Sequence, residues 1–286
     1  MKELKESKWA NEIISLQCKE GNWGYFHTLS EPTKSHPITT EQALRRLQIL
    51  GFSYEDIQIQ KAVSYMHDCL AGDNQIPDRR EKLHDWGIFT SLMLSTWIRR
   101  FTLEDDFANC IAEKWAEVIS DSFISGTYQH NDYLKAYTKV FKMVPRGGRL
   151  VDFVSFYTTS LLSNYLEETI EEAMFDYIIS HNAGIYYIYD GCLLNTPGVF
   201  KSKQASRFIG AIELLSEYKN LKCKAKLKFA GEWLNHNKEI DGSWDMGSVV
   251  KDGIQFPLSD SWRTIEIRKK DCTYRISKLL RNLGFN

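Results

Sequence analysis

Apolar side chains recur along most of this chain at i, i+3, i+4 and i+7, and no long stretch alternates as a strand does. The pattern predicts helices over 7–18, 39–50, 54–70, 84–100, 103–122, 149–163, 165–180, 201–218, 221–237 and 271–283. Breakers agree with it. Gly51 follows Leu50 and Gly284 follows Leu283, each free to take the left-handed conformation that ends a helix. Thr102 stands three residues before Asp105 and Asn164 three before Glu167, the spacing of a capping box. Two stretches read in two ways. Residues 132–143 suit a short extra helix closed by Pro145-Arg146-Gly147-Gly148, so that 127–148 is either a movable flap over a cavity mouth or a fixed surface helix. Residues 263–268 either alternate as a short strand or open the last helix.

Five predicted helix ends share a further feature, at intervals of just over fifty residues: Gly21-Asn22-Trp23, Gly72-Asp73-Asn74, Gly126-Thr127-Tyr128, Gly184-Ile185-Tyr186 and Gly242-Ser243-Trp244. A period of this size marks a repeat architecture. The connections also alternate. Residues 51–53, 101–103, 163–165 and 218–221 are tight joints, whereas 19–38, 71–83, 123–148, 181–200 and 238–270 are long. In a ring of antiparallel helix pairs, all the long loops emerge on one face, and binding residues concentrate on loops held by a rigid scaffold. The expected fold is all-α: a single α/α-toroid domain over 1–286, with about five pairs of inner and outer helices.

The helix ends before these glycines resemble the QW repeats of squalene–hopene cyclases. In the last repeat Ala230, Trp233, Leu234, Gly242 and Trp244 fall at the family's spacing, with Lys238 where glutamine is expected. The first repeat supplies Ile13, Gln17, Gly21 and Trp23, and the second keeps Lys61, Ala62, Tyr65 and Met66. The third and fourth are degenerate, with tyrosine in the tryptophan position. In such a motif the glutamine caps backbone groups at a helix end, and the tryptophan packs against the start of the next inner helix. The resemblance implies the superfamily of terpenoid cyclases, protein prenyltransferase β subunits and complement-type thioester domains. The catalytic signatures of those families (D-x-D-D, D-D-x-x-D and G-C-G-E-Q) are absent. Asp105-Asp106 fall in the first turn of a helix, where acids favour the dipole. Asp190-Gly191-Cys192 matches the prenyltransferase zinc tripeptide in letters but lies in a loop before Pro197. Where that family carries its histidine, the chain reads Asp271-Cys272-Thr273-Tyr274. Zinc wants three or four convergent ligands, so no metal or other cofactor is expected.

A net charge of −1 with no run of five like charges argues against a nucleic-acid partner. No apolar run approaches the roughly 20 residues of a spanning helix. Six scattered cysteines without a C-x-x-C pair, after a charged N-terminus, suit a cytoplasmic protein with reduced thiols. The long loops and adjoining helix starts hold Tyr25, His27, His36, Trp86, Tyr186, Asp190, Trp262, Arg263 and Lys270, the aromatic and polar mixture of a ligand site. His84 and Asp85, with Asp260, stand near inner-helix starts. A histidine beside a carboxylate serves as acid or base at neutral pH, and the same aspartates serve equally as plain N-caps. Arg263, Glu266 and Lys270 share one face if that stretch is helical. Arg45 and Arg46 would lie beside them in a closed ring, a basic set able to hold a diphosphate. The expected function is a prenyltransferase-like or terpenoid-cyclase-like protein holding an isoprenoid or other apolar small molecule. A carbohydrate-active α/α-barrel enzyme and a non-catalytic binding protein stand as alternatives.

Overall fold

Local capping chemistry decides where the helices begin. Ser7, Thr39, Asp105, Ser155, Ser202, Asn220 and Thr264 each accept a backbone N–H of the following turn through the side chain, satisfying donors that a helix start leaves open. The structure, a computed structural model, describes residues 2–82 and 85–285. Its helices run α1 Lys2–Lys5, α2 Lys8–Ser15, α3 Thr40–Ile49, α4 Ile57–Ala71, α5 Trp86–Arg99, α6 Asp106–Ser122, α7 His130–Phe141, α8 Gly148–Val151, α9 Phe156–Leu161, α10 Glu168–Ser180, α11 Lys203–Leu215, α12 Leu221–Ala225, α13 Lys228–His236 and α14 Ile265–Asn282. Among the described residues there is no sheet, only two isolated bridges in the 154–189 region. The fold is all-α.

Several boundaries differ from the sequence reading. The helix expected over 149–163 is broken between α8 and α9, where the Tyr186 N–H donates to Val154 and the Phe156 N–H donates to Tyr186. That pairing pulls Asp152-Phe153-Val154-Ser155 out of helical conformation. The helix over 221–237 is interrupted at Lys226-Leu227. Residues 265–268 open α14 rather than forming a strand, because Thr264 caps it. Asp105 itself, not Thr102, caps α6. Asn164 caps nothing; it takes a left-handed φ of 60°, and its side chain bonds the Glu217 carbonyl and the Lys219 N–H. Helix α7 of segment 127–148 packs against α6, with Tyr133, Ala136 and Tyr137 buried and Trp115 5.9 Å from Tyr137.

The five repeat glycines all hold positive φ, between 73° and 106°. At Gly21 a side chain is impossible, since a Cβ would lie 2.3 Å from the Lys61 carbonyl of α4. The two best-preserved repeats use the same bonds. The Trp23 indole donates to the Ile13 carbonyl at 2.7 Å and its backbone N–H to the Thr40 hydroxyl at 2.9 Å. The Trp244 indole donates to Leu234 at 2.7 Å and its backbone N–H to Thr273 at 3.0 Å. Each tryptophan therefore ties one helix to the next, α2 to α3 and α13 to α14. Gln17 donates to the carbonyls of Gly21 at 2.9 Å and of Gln58 in α4 at 2.8 Å, and so ties the loop after α2 to the first turn of α4. In the last repeat, Lys238 instead sets its ammonium 4.9 Å from the Trp244 ring.

Candidate functional site

Helices α3, α5, α9, α11 and α14 each turn one side toward a shared cavity of about 670 Å³, within the span of small-molecule sites. Among the described residues, none from α2, α4, α6, α7, α10, α12 or α13 lines it, and none from 127–148. Residues 249–258 complete the wall. They are fixed by Arg46 of α3, which donates to the carbonyls of Ile254 at 2.9 Å and Pro257. Burial lowers that arginine to about 10, so it remains charged at neutral pH. Asp252 accepts the N–H groups of Ile254 and Gln255, and Asp271 those of Leu258 and the Trp262 indole. Through Arg46, the first cavity-lining helix is thus bonded to the segment that leads into the last.

Polar groups on the cavity walls are organised from the helix ends inward. Arg100, at the end of α5, makes a two-pronged ion pair with Glu217 at 2.8 and 3.0 Å and also bonds Gln48 and Ser160. One guanidinium thereby gathers the C-terminal ends of α3, α5, α9 and α11, whose partial negative charge it offsets. Arg275 of α14 reaches α11 in the same way, with Glu213 at 2.7 and 2.8 Å. Below them Glu41 is fully buried and accepts from the Trp97 indole at 2.7 Å, the Tyr157 hydroxyl at 2.8 Å and the Thr28 N–H at 2.6 Å. Burial and the adjacent Glu41 push the Tyr157 phenol well above its usual range, which keeps it a donor.

Charge on these walls is unbalanced. Seven lysines and arginines face three acids among the described lining residues, on a chain whose net charge is −1. Glu213 and Glu217 are already taken by Arg275 and Arg100. Arg45, Lys203, Lys251 and Lys278 have no hydrogen-bonding or ion-pair partner among the described residues. Arg45 is the deepest of the four. Its guanidinium lies 4.6 Å from the centre of the Phe156 ring and 5.9 Å from that of Trp97. Burial lowers its pKa despite the pull of Glu41, and Arg100 lowers it further. A guanidinium nevertheless stays protonated in proteins. Apolar surface adjoins these cations, from Trp97, Phe156, Ile188, Leu214, Leu258 and Leu279.

Of the residues singled out from the sequence, Arg45 is in the cavity, and no described member of the loop-borne set lines it. His84 lies outside the described residues. Asp85 is buried at the start of α5 but caps nothing; its carboxylate is held by Arg146 at 2.7 and 3.0 Å. Asp260 is exposed and 3.4 Å from Lys8, because Thr264 takes the capping role at α14. Tyr25 and His36 meet in a separate cleft of about 490 Å³ with Cys18, Asn22 and Tyr65. His27 is buried between Phe89 and Tyr187 and accepts the Leu29 N–H at its Nδ1. Trp86 is half-buried, with its ring 6.1 Å from that of Phe89. Tyr186 lies on the surface against Tyr187. Asp190 reaches the cavity only indirectly, at 3.4 Å from the lining residue Arg207. Trp262 is spent on Asp271, and Arg263 and Lys270 are exposed, with Arg263 ahead of the helix rather than on a shared face with Glu266. Asp190 and Cys192 do not converge on a metal site: the Cys192 thiol donates to the Ile179 carbonyl, and no cluster of three metal-binding side chains occurs among the described residues. No described helix is long and apolar enough to cross a membrane.

The lining residues that sequence reading missed, Arg100, Lys203, Arg207, Glu213, Arg275 and Lys278, sit on helices rather than loops. Their signal was charged residues at helical spacing, at 203, 207 and 213 on α11 and at 275 and 278 on α14. No known family model, curated protein or solved structure matches the chain.

Proposed function

We propose that the chain is a single α/α-toroid domain whose inner layer is α3, α5, α9, α11 and α14, and that its central cavity binds an apolar ligand bearing an anionic head, of the prenyl diphosphate class. The QW-like seams at Trp23 and Trp244 and the shared cavity of five helices support the architecture. The observation that carries the ligand reading is Arg45, an unpaired guanidinium deep in a cavity with surplus positive charge and aromatic walls. Burying an unpaired charge is costly, and an anion supplied by a ligand removes that cost. The neighbouring rings and aliphatic side chains suit a hydrocarbon tail. Six unpaired cysteines fit a cytoplasmic setting. The proposal concerns binding and assigns no chemical step.

Thermal denaturation with geranyl, farnesyl and geranylgeranyl diphosphate tests it. A ligand at a hundred times its Kd stabilises by about 2.7 kcal/mol, a rise of about 4 °C for a chain of this length. Inorganic diphosphate and farnesol, run alongside, separate the head from the tail. No shift with any prenyl diphosphate at saturation refutes the reading.

A further inference from the structure

Glycine at the centre of a cavity-facing helix is disfavoured relative to alanine, so its presence there asks what the missing side chain makes room for. Gly210 is such a residue. It lies inside α11 on the cavity wall and is partly accessible. Along that wall Gly210 stands between Lys203, Ser206 and Arg207 toward one end and Glu213 and Glu217 toward the other.

Protein packing does not explain the glycine. Its φ lies outside the left-handed range, in a regular helix. A Cβ built on it would meet Arg275 at 3.7 Å and Ile188 at 3.9 Å, ordinary van der Waals contacts. Arg275 therefore keeps its approach to Ser206 and Glu213 with alanine at 210 as well as with glycine. Elsewhere in the chain glycine is enforced, as at Gly21 and Gly184, where a Cβ would come within 2.3 and 2.1 Å of backbone oxygens. At Gly210 the vacant space belongs to the cavity.

We infer that Gly210 is a specificity-determining position: the apolar body of the ligand lies directly against the α11 backbone there, and side-chain size at 210 limits how bulky or long that body is. This rests on the proposed ligand site but not on the isoprenoid identity of its occupant. Any amphiphilic anion filling the cavity would report it.

The test uses the full-length protein as wild type, Gly210→Ala, Gly210→Leu and the control Gly87→Ala. Gly87 also lies in a helix, and a Cβ there meets nothing within 4 Å, but it is outside the cavity lining. The probes are 1-anilinonaphthalene-8-sulfonate, read by fluorescence titration, and farnesyl and geranylgeranyl diphosphate, read by displacement of that dye. Gly210→Ala should raise the ligand-free Tm by about 2 °C, as helix propensity dictates, while weakening dye binding at least threefold. Gly210→Leu should weaken it at least tenfold and penalise the longer diphosphate more than the shorter. Gly87→Ala should leave affinity unchanged. If both Gly210 variants bind as wild type does, the inference is refuted while the site stands. If the dye responds as expected but no prenyl diphosphate displaces it, the isoprenoid identity falls and the role of Gly210 holds. If the wild type binds neither dye nor diphosphate, both fall.

Discussion

Replacing Arg45 with methionine separates a ligand-binding cation from a structural one. Arg45 makes no hydrogen bond or ion pair among the described residues, so Arg45→Met breaks none. Glu41, one turn earlier, keeps its donors from Trp97, Tyr157 and Thr28 but loses the attraction of the nearby guanidinium. The loss is the contact with Phe156 and Trp97, worth about 0.5–2 kcal/mol for a cation over a ring. The gain is relief from holding an unpaired charge in a confined site, while the thioether keeps the contacts of the aliphatic stem with the rings. Relief of that desolvation offsets the lost ring contact and the lost attraction to Glu41. The balance lies within about 1 kcal/mol of zero. At about 2.1 cal/mol/K per residue, unfolding this chain has an entropy of about 0.6 kcal/mol/K, so Tm should stay within about 2 °C of wild type. Ligand binding should weaken. A hydrogen bond to a charged group is worth about 1.5–3 kcal/mol, so affinity for farnesyl diphosphate should fall roughly ten- to hundredfold. Calorimetric unfolding and ligand titration of the same samples supply both numbers. A Tm loss above about 4 °C with unchanged affinity would show that Arg45 is a structural residue and undo the reasoning that placed an anion beside it.

Trp23→Phe and Trp244→Phe should each cost about 2 kcal/mol from one lost indole bond and lost ring volume, or about 3 °C by thermal melt; two unequal losses would break the equivalence of the seams. Arg268, 2.7 and 2.8 Å away, holds the buried Asp245 carboxyl well below the usual carboxylate range. A depressed folded-state pKa contributes stability above the unfolded value of about 3.9, and that contribution is lost as pH falls toward the folded value. The Tm gap between wild type and Asp245→Asn should therefore be full at pH 6 and narrow at pH 3, and a gap independent of pH would contradict the assignment. Burial pushes the Cys223 and Cys272 thiols up to about 12 and about 11, so a thiol reagent at pH 8 should label exposed Cys110 first and reach these two only on unfolding. Mass spectrometry of the labelled peptides reads the order.

What was legible in the sequence was what a few neighbouring residues decide. Gly21 and Gly242 turn the chain with positive φ a few residues beyond α2 and α13, and a tryptophan two positions on returns its indole to a carbonyl ten residues back, so Trp23 and Trp244 could be assigned to joinery before any contact was known. The cavity was not legible in that way, because its chemistry is assembled from five helices whose rotation depends on packing. Arg100 owes its place to Glu217, Gln48 and Ser160, residues scattered over three segments. The loops drew attention through their aromatic and acidic residues, yet there Trp262 serves to hold Asp271, and Asp245 serves to hold Arg268. The decisive pattern lay on α11. Phe208, Ile209, Ala211, Ile212 and Leu215 are buried there, while Lys203, Arg207 and Glu213 occupy the other side. Amphipathicity of that kind usually separates core from bulk solvent. Here the polar side of α11 shares its space with charged residues of α3, α5 and α14, and Gly210 lies on the same line. On α11 the polar side borders a volume shared with other helices, which a helix-by-helix reading of polarity does not distinguish from a solvent-facing side.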